Sequence, residues 1–366
     1  MRLMICAGAS GGGVNPALAV IQTLKPEEHE LLWVGSEGGM EANLVQRANI
    51  PFKSVPAGGI HGMGLRSLFN SFKLIRGYFA AKKIIRDFKP DVLFFTGGYV
   101  AIPTGLAGRK IPTLLCLPDI EPGLAIKVLS RFADHIAVPA EESKQFLPTD
   151  KNITITGYPV RKELFAWDKE EAFKVFDLDP KKPTLLVTGG SLGARSINKA
   201  VLKSIKDLLS RMQVIHITGQ TTWQEFENEI KSIPEELAKN YRPYPYLHKR
   251  MGAAYEAADL VISRAGASII GEFPLFELPA ITVPYPHAWR YQIVNAEYLS
   301  KNGSAVLLRD ENLNENLLAV ILEIMEDKER LTEMKIAMKS HAIPDSAERI
   351  SGILLNLAET GQGNNI

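Results

Sequence analysis

Residues 258–296 read ADLVISRAGASIIGEFPLFELPAITVPYPHAWRYQIVNA, and the fold follows from them. Residues 260–263 are a short apolar run, which predicts a buried strand. A tight turn, Arg264-Ala265-Gly266-Ala267, comes next. The amphipathic segment 268–276 predicts a helix, and 279–283 a second strand stopped by Pro284. Strand, glycine turn, helix and strand in that order make the repeating unit of a parallel α/β sheet.

The same unit suggests a ligand. A helix that opens straight after a glycine turn presents free N–H groups and the positive end of its dipole, and both favour an anion such as phosphate. Gly266 lets a ligand approach the backbone at Ala265 and Gly266. Glu272 lies six residues past Gly266, about 1.6 helical turns. An acid there is too deep to cap the helix and can reach ribose hydroxyls. Gln292 and Asn295, three apart, share a face of the next helix and suit sugar hydroxyls. The competing reading is an ordinary βαβ unit with a surface glutamate and polar helix positions.

Working towards the N-terminus, the same punctuation recurs. Residues 3–7 predict a strand, Gly8-Ala9-Ser10-Gly11-Gly12-Gly13 a glycine-rich loop, and 16–23 a helix with Pro16 near its start. The loop is not the dinucleotide pattern GxGxxG, and no P-loop lysine follows, so a cradle for phosphate or sugar stays open. Further strands are predicted at 30–35, 51–55, 92–95, 113–116, 136–139 and 153–157. A glycine turn, Gly97-Gly98-Tyr99, follows 92–95. Asp119 and Glu121 follow 113–116. Ligands of open α/β sheets bind beyond the carboxyl ends of strands, so Ser10, Gly97 and Asp119 are expected to gather. Asp119 is then a candidate general base and Glu121 a weaker one. Each carboxylate also reads as a turn or cap acid.

The second half repeats the plan. A strand at 184–188 runs into Gly189-Gly190-Ser191-Leu192-Gly193-Ala194-Arg195 and a helix from about Ser196. Another strand is expected at 214–218. Tyr246, in the apolar piece Tyr244-Pro245-Tyr246-Leu247, suits either a flat base or the core. Gly157-Tyr158-Pro159-Val160-Arg161 reads as a hinge, from which Arg161 can swing onto a diphosphate. The expected domains are 1–158, 159–342, and a C-terminal helix from 343 to 366 that packs back on the first. That helix carries Ile350, Ile353, Leu354 and Leu357 at i, i+3, i+4 and i+7.

Bulk properties exclude several classes. The chain has 366 residues, enough for two domains. Its formal net charge of +1 gives no global case for nucleic acid. Two cysteines in apolar runs fit a reducing compartment, and no Cys/His cluster suggests a metal. Asp177-Leu178-Asp179 matches a metal-binding DxD, but it leads into a strand through a proline-rich turn, and a surface turn is expected instead. The N-terminus does not read as a signal peptide. No apolar run reaches the ~18–20 residues of a membrane span. One stretch, 60–89, concentrates Arg66, Lys73, Arg76, Lys82, Lys83, Arg86 and Lys89 against the single acid Asp87. Leu65, Leu68, Phe69, Phe72 and Ile75 interleave with the cations before Gly77. That surface suits an anionic membrane face, unless the apolar stripe packs on the sheet and the cations are merely solvated.

Taken together, these residues resemble the MurG family, the N-acetylglucosaminyltransferases of peptidoglycan synthesis. The resemblance rests on Gly189–Arg195 with Asn198, on Arg264-Ala265-Gly266-Ala267 with Glu272, and on Gln292 and Asn295. Gly97-Gly98-Tyr99-Val100 with Pro103, Pro122-Gly123-Leu124, and Pro159-Val160-Arg161 match as well. It implies a GT-B fold: two Rossmann-like parallel-sheet domains facing across a cleft, with the donor nucleotide in the C-terminal one. Ser191 and Arg161 are then expected on the donor diphosphate, with Gly190 and Arg195 nearby. Glu272 is expected on ribose and Gln292 on the transferred sugar. Ser10, Gly11, Gly12, Gly13, Gly97 and Tyr99 fall on the acceptor side, and the region around 65–79 becomes the membrane patch.

The departures fall on the acceptor side. The family's GGTGGH is here Gly8-Ala9-Ser10-Gly11-Gly12-Gly13, so Gly13 stands at a histidine. Its HEQN is here Cys116-Leu117-Pro118-Asp119. Tyr158 replaces an Asn, and Trp289 and Tyr291 sit where polar residues are usual. The expected activity is inverting, metal-independent transfer of N-acetylglucosamine from UDP-N-acetylglucosamine to lipid-linked N-acetylmuramyl-pentapeptide. It needs no cofactor and is carried out in the cytoplasm, peripheral on the inner face of the cell membrane. The alternatives are a UDP-sugar transferase acting on another glycolipid or a soluble acceptor, and a UDP-sugar-binding paralogue without turnover.

Overall fold

The computed structural model describes residues 1–8, 11–39, 41–58, 65–190, 192–288 and 290–363, with the side chains of 11, 26, 65–72, 362 and 363 left outside that description. The chain folds as two compact units, 1–161 with 343–366, and 162–342.

The first unit is built on seven strands: β1 (Arg2–Ala7), β2 (Glu30–Ser36), β3 (Phe52–Val55), β4 (Val92–Gly97), β5 (Thr113–Cys116), β6 (His135–Val138) and β7 (Asn152–Ile155). They lie in the order β3-β2-β1-β4-β5-β6-β7, every pair parallel. The central strands are apolar at almost every position because both faces are covered. On one face Leu3, Ile5, Trp33 and Phe94 pack with Ile350, Leu354 and Ala358 of the C-terminal helix Ser346–Gly363. On the other, Met4, Cys6, Leu93 and Phe95 pack with Ala81 of the long helix Leu65–Phe88.

The second unit carries β8 (Thr184–Thr188), β9 (Gln213–Ile217), β10 (Tyr241–Tyr244), β11 (Leu260–Ser263), β12 (Ala280–Thr282) and β13 (Ala305–Leu307). Their order is β10-β9-β8-β11-β12-β13, again all parallel. In each sheet the chain order reverses beside the first strand, between β1 and β4 and between β8 and β11. Crevices for ligands open at such switch points, and all four strands there run into glycine turns.

Sequence reasoning left β10 and β13 unread as strands. Both are edges, and β10 holds Pro243, which only an edge tolerates. Two helix expectations need correction. The N-terminal helix spans Gly11–Ile21, so Gly11, Gly12 and Gly13 form its first turn and Pro16 lies inside it. Tertiary contact overrides weak propensity there: Thr96, itself buried, donates its hydroxyl to the Gly13 carbonyl at 2.5 Å. The expected helix 268–276 is instead a 3-10 turn, Ala267–Ile270, then a single α turn, Glu272–Leu275, with Gly271 between. Pro274 has no N–H for the Ile270 carbonyl and its ring crowds that oxygen, so one continuous helix cannot form.

Candidate functional site

In the second unit, the turn after β8 and the turn after β11 stand side by side. Gly190 has φ +80° and open space where a Cβ would be, and its N–H donates to Thr188 Oγ1 at 3.3 Å. Gly193 N–H closes the turn onto the Gly190 carbonyl at 3.0 Å. The helix Arg195–Lys203 follows, capped at Ala194 with no side-chain hydrogen bond and no acid in its first turn. Its opening N–H groups are thus left for an anion. Ser191 lies outside the described residues. Arg195 does not turn to this opening: it is exposed and pairs with Glu225 at 2.7 Å.

Gly266 presents the companion surface. It has φ −69°, and a Cβ there would meet nothing within 4 Å. Neither backbone nor packing therefore requires glycine at this position. Ala265 beside it is fully buried. With only a 3-10 turn, Ala267–Ile270, behind Gly266, the helix dipole expected from sequence does not point at this position, and Gly266 offers close approach to its backbone.

Glu272 is buried and accepts the Tyr255 hydroxyl at 2.7 Å. Asn295 is fully buried, and its amide donates to the Ala265 carbonyl at 3.2 Å, so it holds the turn. Gln292, half-buried, accepts the Tyr285 N–H at 2.9 Å. Tyr246 is half-buried with its ring edge-on to His248, centroids 4.6 Å apart. Trp289 lies outside the described residues.

Sequence reasoning missed the group that ties these turns together. Arg264 donates one nitrogen to Asp310 and another to Ser196 Oγ at 2.7 Å, and Ser196 donates to Asp310 at 2.7 Å. The Arg264 guanidinium also lies over the Tyr285 ring, 5.3 Å from its centroid. One arginine thus joins loops from four strands. The sequence signals were an arginine closing a buried strand and its place in the Arg264-Ala265-Gly266-Ala267 motif, neither of which names its partners. The DxD-like pair is committed elsewhere: Asp177 pairs with Arg242 at 2.8 Å and Asp179 accepts the Lys181 N–H at 2.9 Å. No group of metal-ligating side chains occurs among the described residues.

In the first unit the ends of β1, β4 and β5 are neighbours, as expected from sequence. A Cβ on Gly98 would stand 3.0 Å from the Gly8 backbone, so the two glycine turns touch. Gly97 has φ +123°. Tyr99 is half-buried, and burial pushes its phenol pKa up. Ser10 lies outside the described residues, Gly12 is half-buried, and Gly13 is buried with space for a Cβ only 3.2 Å from the Gly8 carbonyl. Asp119 is half-buried in the turn after β5, whereas Cys116 and Leu117 are fully buried core. Glu41 went unread. Fully buried, it accepts from both Ser36 N–H and Oγ, and the absence of a side chain at Gly39 makes room for its carboxylate. Arg161, half-buried, has its Nε buried without a hydrogen-bond partner.

On the helix Leu65–Phe88, Ile75 and Phe79 are 56% and 64% exposed, beside exposed Arg76 and half-buried Lys73. Leu65, Leu68, Phe69 and Phe72 belong to this helix, but their side chains are outside the description. No helix among the described residues is long and apolar enough to cross a membrane.

Comparison with known proteins bears on these two sites. Residues 3–138 match the glycosyltransferase family 28 N-terminal domain, and 184–350 its C-terminal domain. The chain is 38% identical, over 96% of its length and 97% of the relative's, to a Desulforamulus reducens protein named UDP-N-acetylglucosamine--N-acetylmuramyl-(pentapeptide) pyrophosphoryl-undecaprenol N-acetylglucosamine transferase. It is 33% identical to a Bacillus pumilus protein of the same name, over 98% and 100% of the two chains. The crystal structure of Acinetobacter baumannii MurG superposes with a TM-score of 0.78 at 27% identity, covering 97% of this chain and 99% of that one. With both GT-B domains in order and a full-length relative at this identity, the chain belongs to glycosyltransferase family 28, among its MurG-like UDP-sugar transferases.

Proposed function

We propose that this protein transfers N-acetylglucosamine from UDP-N-acetylglucosamine to lipid-linked N-acetylmuramyl-pentapeptide, with inversion and without a metal. The observation that carries the donor half is Gly266, a glycine that the fold does not need, beside the open Gly190 turn and the uncapped helix at Arg195. Backbone N–H groups and Arg161 take the place of a cation on the departing diphosphate. Glu272, held in place by the Tyr255 hydroxyl, takes ribose. Gln292 faces the sugar, while Asn295 and Arg264 set the turns from behind. Asp119 takes the proton of the attacking hydroxyl, and burial of that carboxylate on acceptor binding would raise its basicity. The first unit receives the acceptor beyond β1, β4 and β5. Ile75, Phe79 and Arg76 rest on an anionic membrane surface at the cytoplasmic face.

A UDP-release assay tests the reading, with UDP-N-acetylglucosamine and lipid-linked muramyl-pentapeptide as the expected productive pair. Turnover with another donor sugar only would overturn it. A second reading, a different glycolipid or soluble acceptor, is favoured by Gly13 and by the buried Cys116 and Leu117 at acceptor-side positions. Simpler acceptors in the same assay separate the two.

A further inference from the structure

The second unit holds a buried polar chain that no ligand can touch. Asn198, His216 and Thr218 are fully buried, and Tyr241 is nearly so. The Asn198 amide donates to the Thr218 carbonyl at 2.8 Å. A carbonyl only accepts, so the nitrogen of Asn198 faces Thr218 and its oxygen faces His216 Nε2, at 3.1 Å. Nε2 must therefore carry the proton. His216 Nδ1 lies 2.8 Å from the Tyr241 hydroxyl. A neutral ring protonated at Nε2 leaves a lone pair at Nδ1, so Tyr241 donates. Hydrogen bonds then run in one direction, from Tyr241 through His216 and Asn198 to Thr218. Burial keeps the imidazole neutral by pushing its pKa down to about 3.

The end of this chain matters because of what rests on it. A Cβ on Gly193 would stand 2.2 Å from the Thr218 carbonyl, and one on Gly219 2.2 Å from Gly193 Cα. Thr221 donates its hydroxyl to the Leu192 carbonyl. The turn 218–222 is therefore the bed on which the turn 189–194 lies.

We infer that His216 and Tyr241 are positioning residues for the donor diphosphate, fixing Asn198 and, through Thr218, the height of the Gly190–Gly193 turn. Neither touches substrate. The inference rests on the donor reading above and adds a device beneath it. Deleting the Tyr241 hydroxyl leaves the Nδ1 lone pair buried with no donor, while Nε2–H stays on the Asn198 oxygen. The ring loses its anchor on the Nδ1 side, and Asn198 shifts with it.

Calorimetry with UDP on the intact protein tests this. Tyr241→Phe should weaken UDP binding about tenfold and raise the KM for UDP-sugar similarly, with the acceptor KM within twofold of wild type. Nitrogen NMR of His216 should show Nε2–H in wild type, and in Tyr241→Phe the same tautomer with the Nδ1 resonance moved to that of a lone pair accepting no hydrogen bond. His216→Gln, which can still donate to Asn198, should recover most of the affinity that His216→Phe loses. Unchanged UDP affinity in Tyr241→Phe, or an Nδ1–H tautomer in wild type, overturns the inference while leaving the donor reading intact. Absence of UDP binding by wild type overturns both.

Discussion

Arg264 and Asp310 form an ion pair with side chains only 12% and 21% exposed, and Ser196 bonds to both. Three polar groups thus satisfy one another at the carboxyl edge of the second sheet. Removing one partner strands the others. Asp310→Ala should destabilise the second unit by about 3 kcal/mol, at the low end for a buried pair because some water reaches it. Arg264→Lys keeps the charge but not the two-pronged geometry, and should cost about 1–2 kcal/mol. Urea midpoints for the two variants check this. Equal, negligible losses would show that the pair is solvent-screened.

Gly266 and Gly193 are both glycines in one site, for different reasons. Gly193 has φ +84° and no room for a Cβ, so Gly193→Ala should cost more than about 2 kcal/mol through strain and overpacking. Gly266 is unconstrained, so Gly266→Ala should keep stability within about 0.5 kcal/mol. The same methyl would stand where a ligand approaches, and UDP affinity should fall at least tenfold. Thermal melts with UDP titration on the two variants check the contrast. Full UDP affinity in Gly266→Ala would remove the main support for the donor site.

How much of this was legible follows from which signals are local. The strand–glycine–helix punctuation at Gly8, Gly97, Gly190 and Gly266 is local, and it placed the turns correctly at both switch points. The hold of Asn295 on its turn is not legible, because a polar residue on a helix face looks the same from sequence whether it meets solvent or a buried carbonyl 30 residues away. Arg264, Asp310 and Ser196 were unreadable as a group, since their partnership is made by the sheet order. The helix break at Gly271 was readable: Pro274 was in plain view, and the amphipathic period outweighed it.

Asp119 carries the catalytic expectation for the first unit. If it takes the acceptor proton, Asp119→Asn should lower kcat by roughly 10²–10⁴-fold, the usual range for a general base. The KM for UDP-sugar should stay near wild type. Initial rates at saturating substrates decide it, and a full rate in the variant would remove Asp119 from the chemistry.

Ile75 and Phe79 offer apolar surface at the exposed face of a basic helix. Each large apolar side chain buried in a lipid interface is worth about 1.5–3 kcal/mol. The double substitution Ile75→Ser, Phe79→Ser should therefore reduce co-flotation with anionic liposomes at least tenfold. The melting temperature and UDP affinity should not move, since both side chains stand clear of the core. Undiminished flotation would mean that this face is simply solvated.

His216 makes a pH prediction whose sign is fixed by burial. Its folded pKa is about 3, against an ordinary imidazole value of ~6.5. As pH falls through 6.5 the unfolded chain takes up a proton that the folded protein refuses. Stability from this group is therefore complete above pH 6.5 and declines as pH falls towards 3, by about 1.4 kcal/mol per unit. From pH 6 to 4.5 the loss should approach about 2 kcal/mol. His135, partly buried, is shifted in the same direction, but it is present in both wild type and a His216→Gln variant and cancels in their difference. Urea unfolding of the two proteins at pH 4.5, 5.25 and 6 measures that difference directly. The variant should show the shallower acid slope. Parallel slopes would mean that His216 takes up its proton while folded, although its Nε2–H already donates to Asn198 and its Nδ1 already accepts from Tyr241.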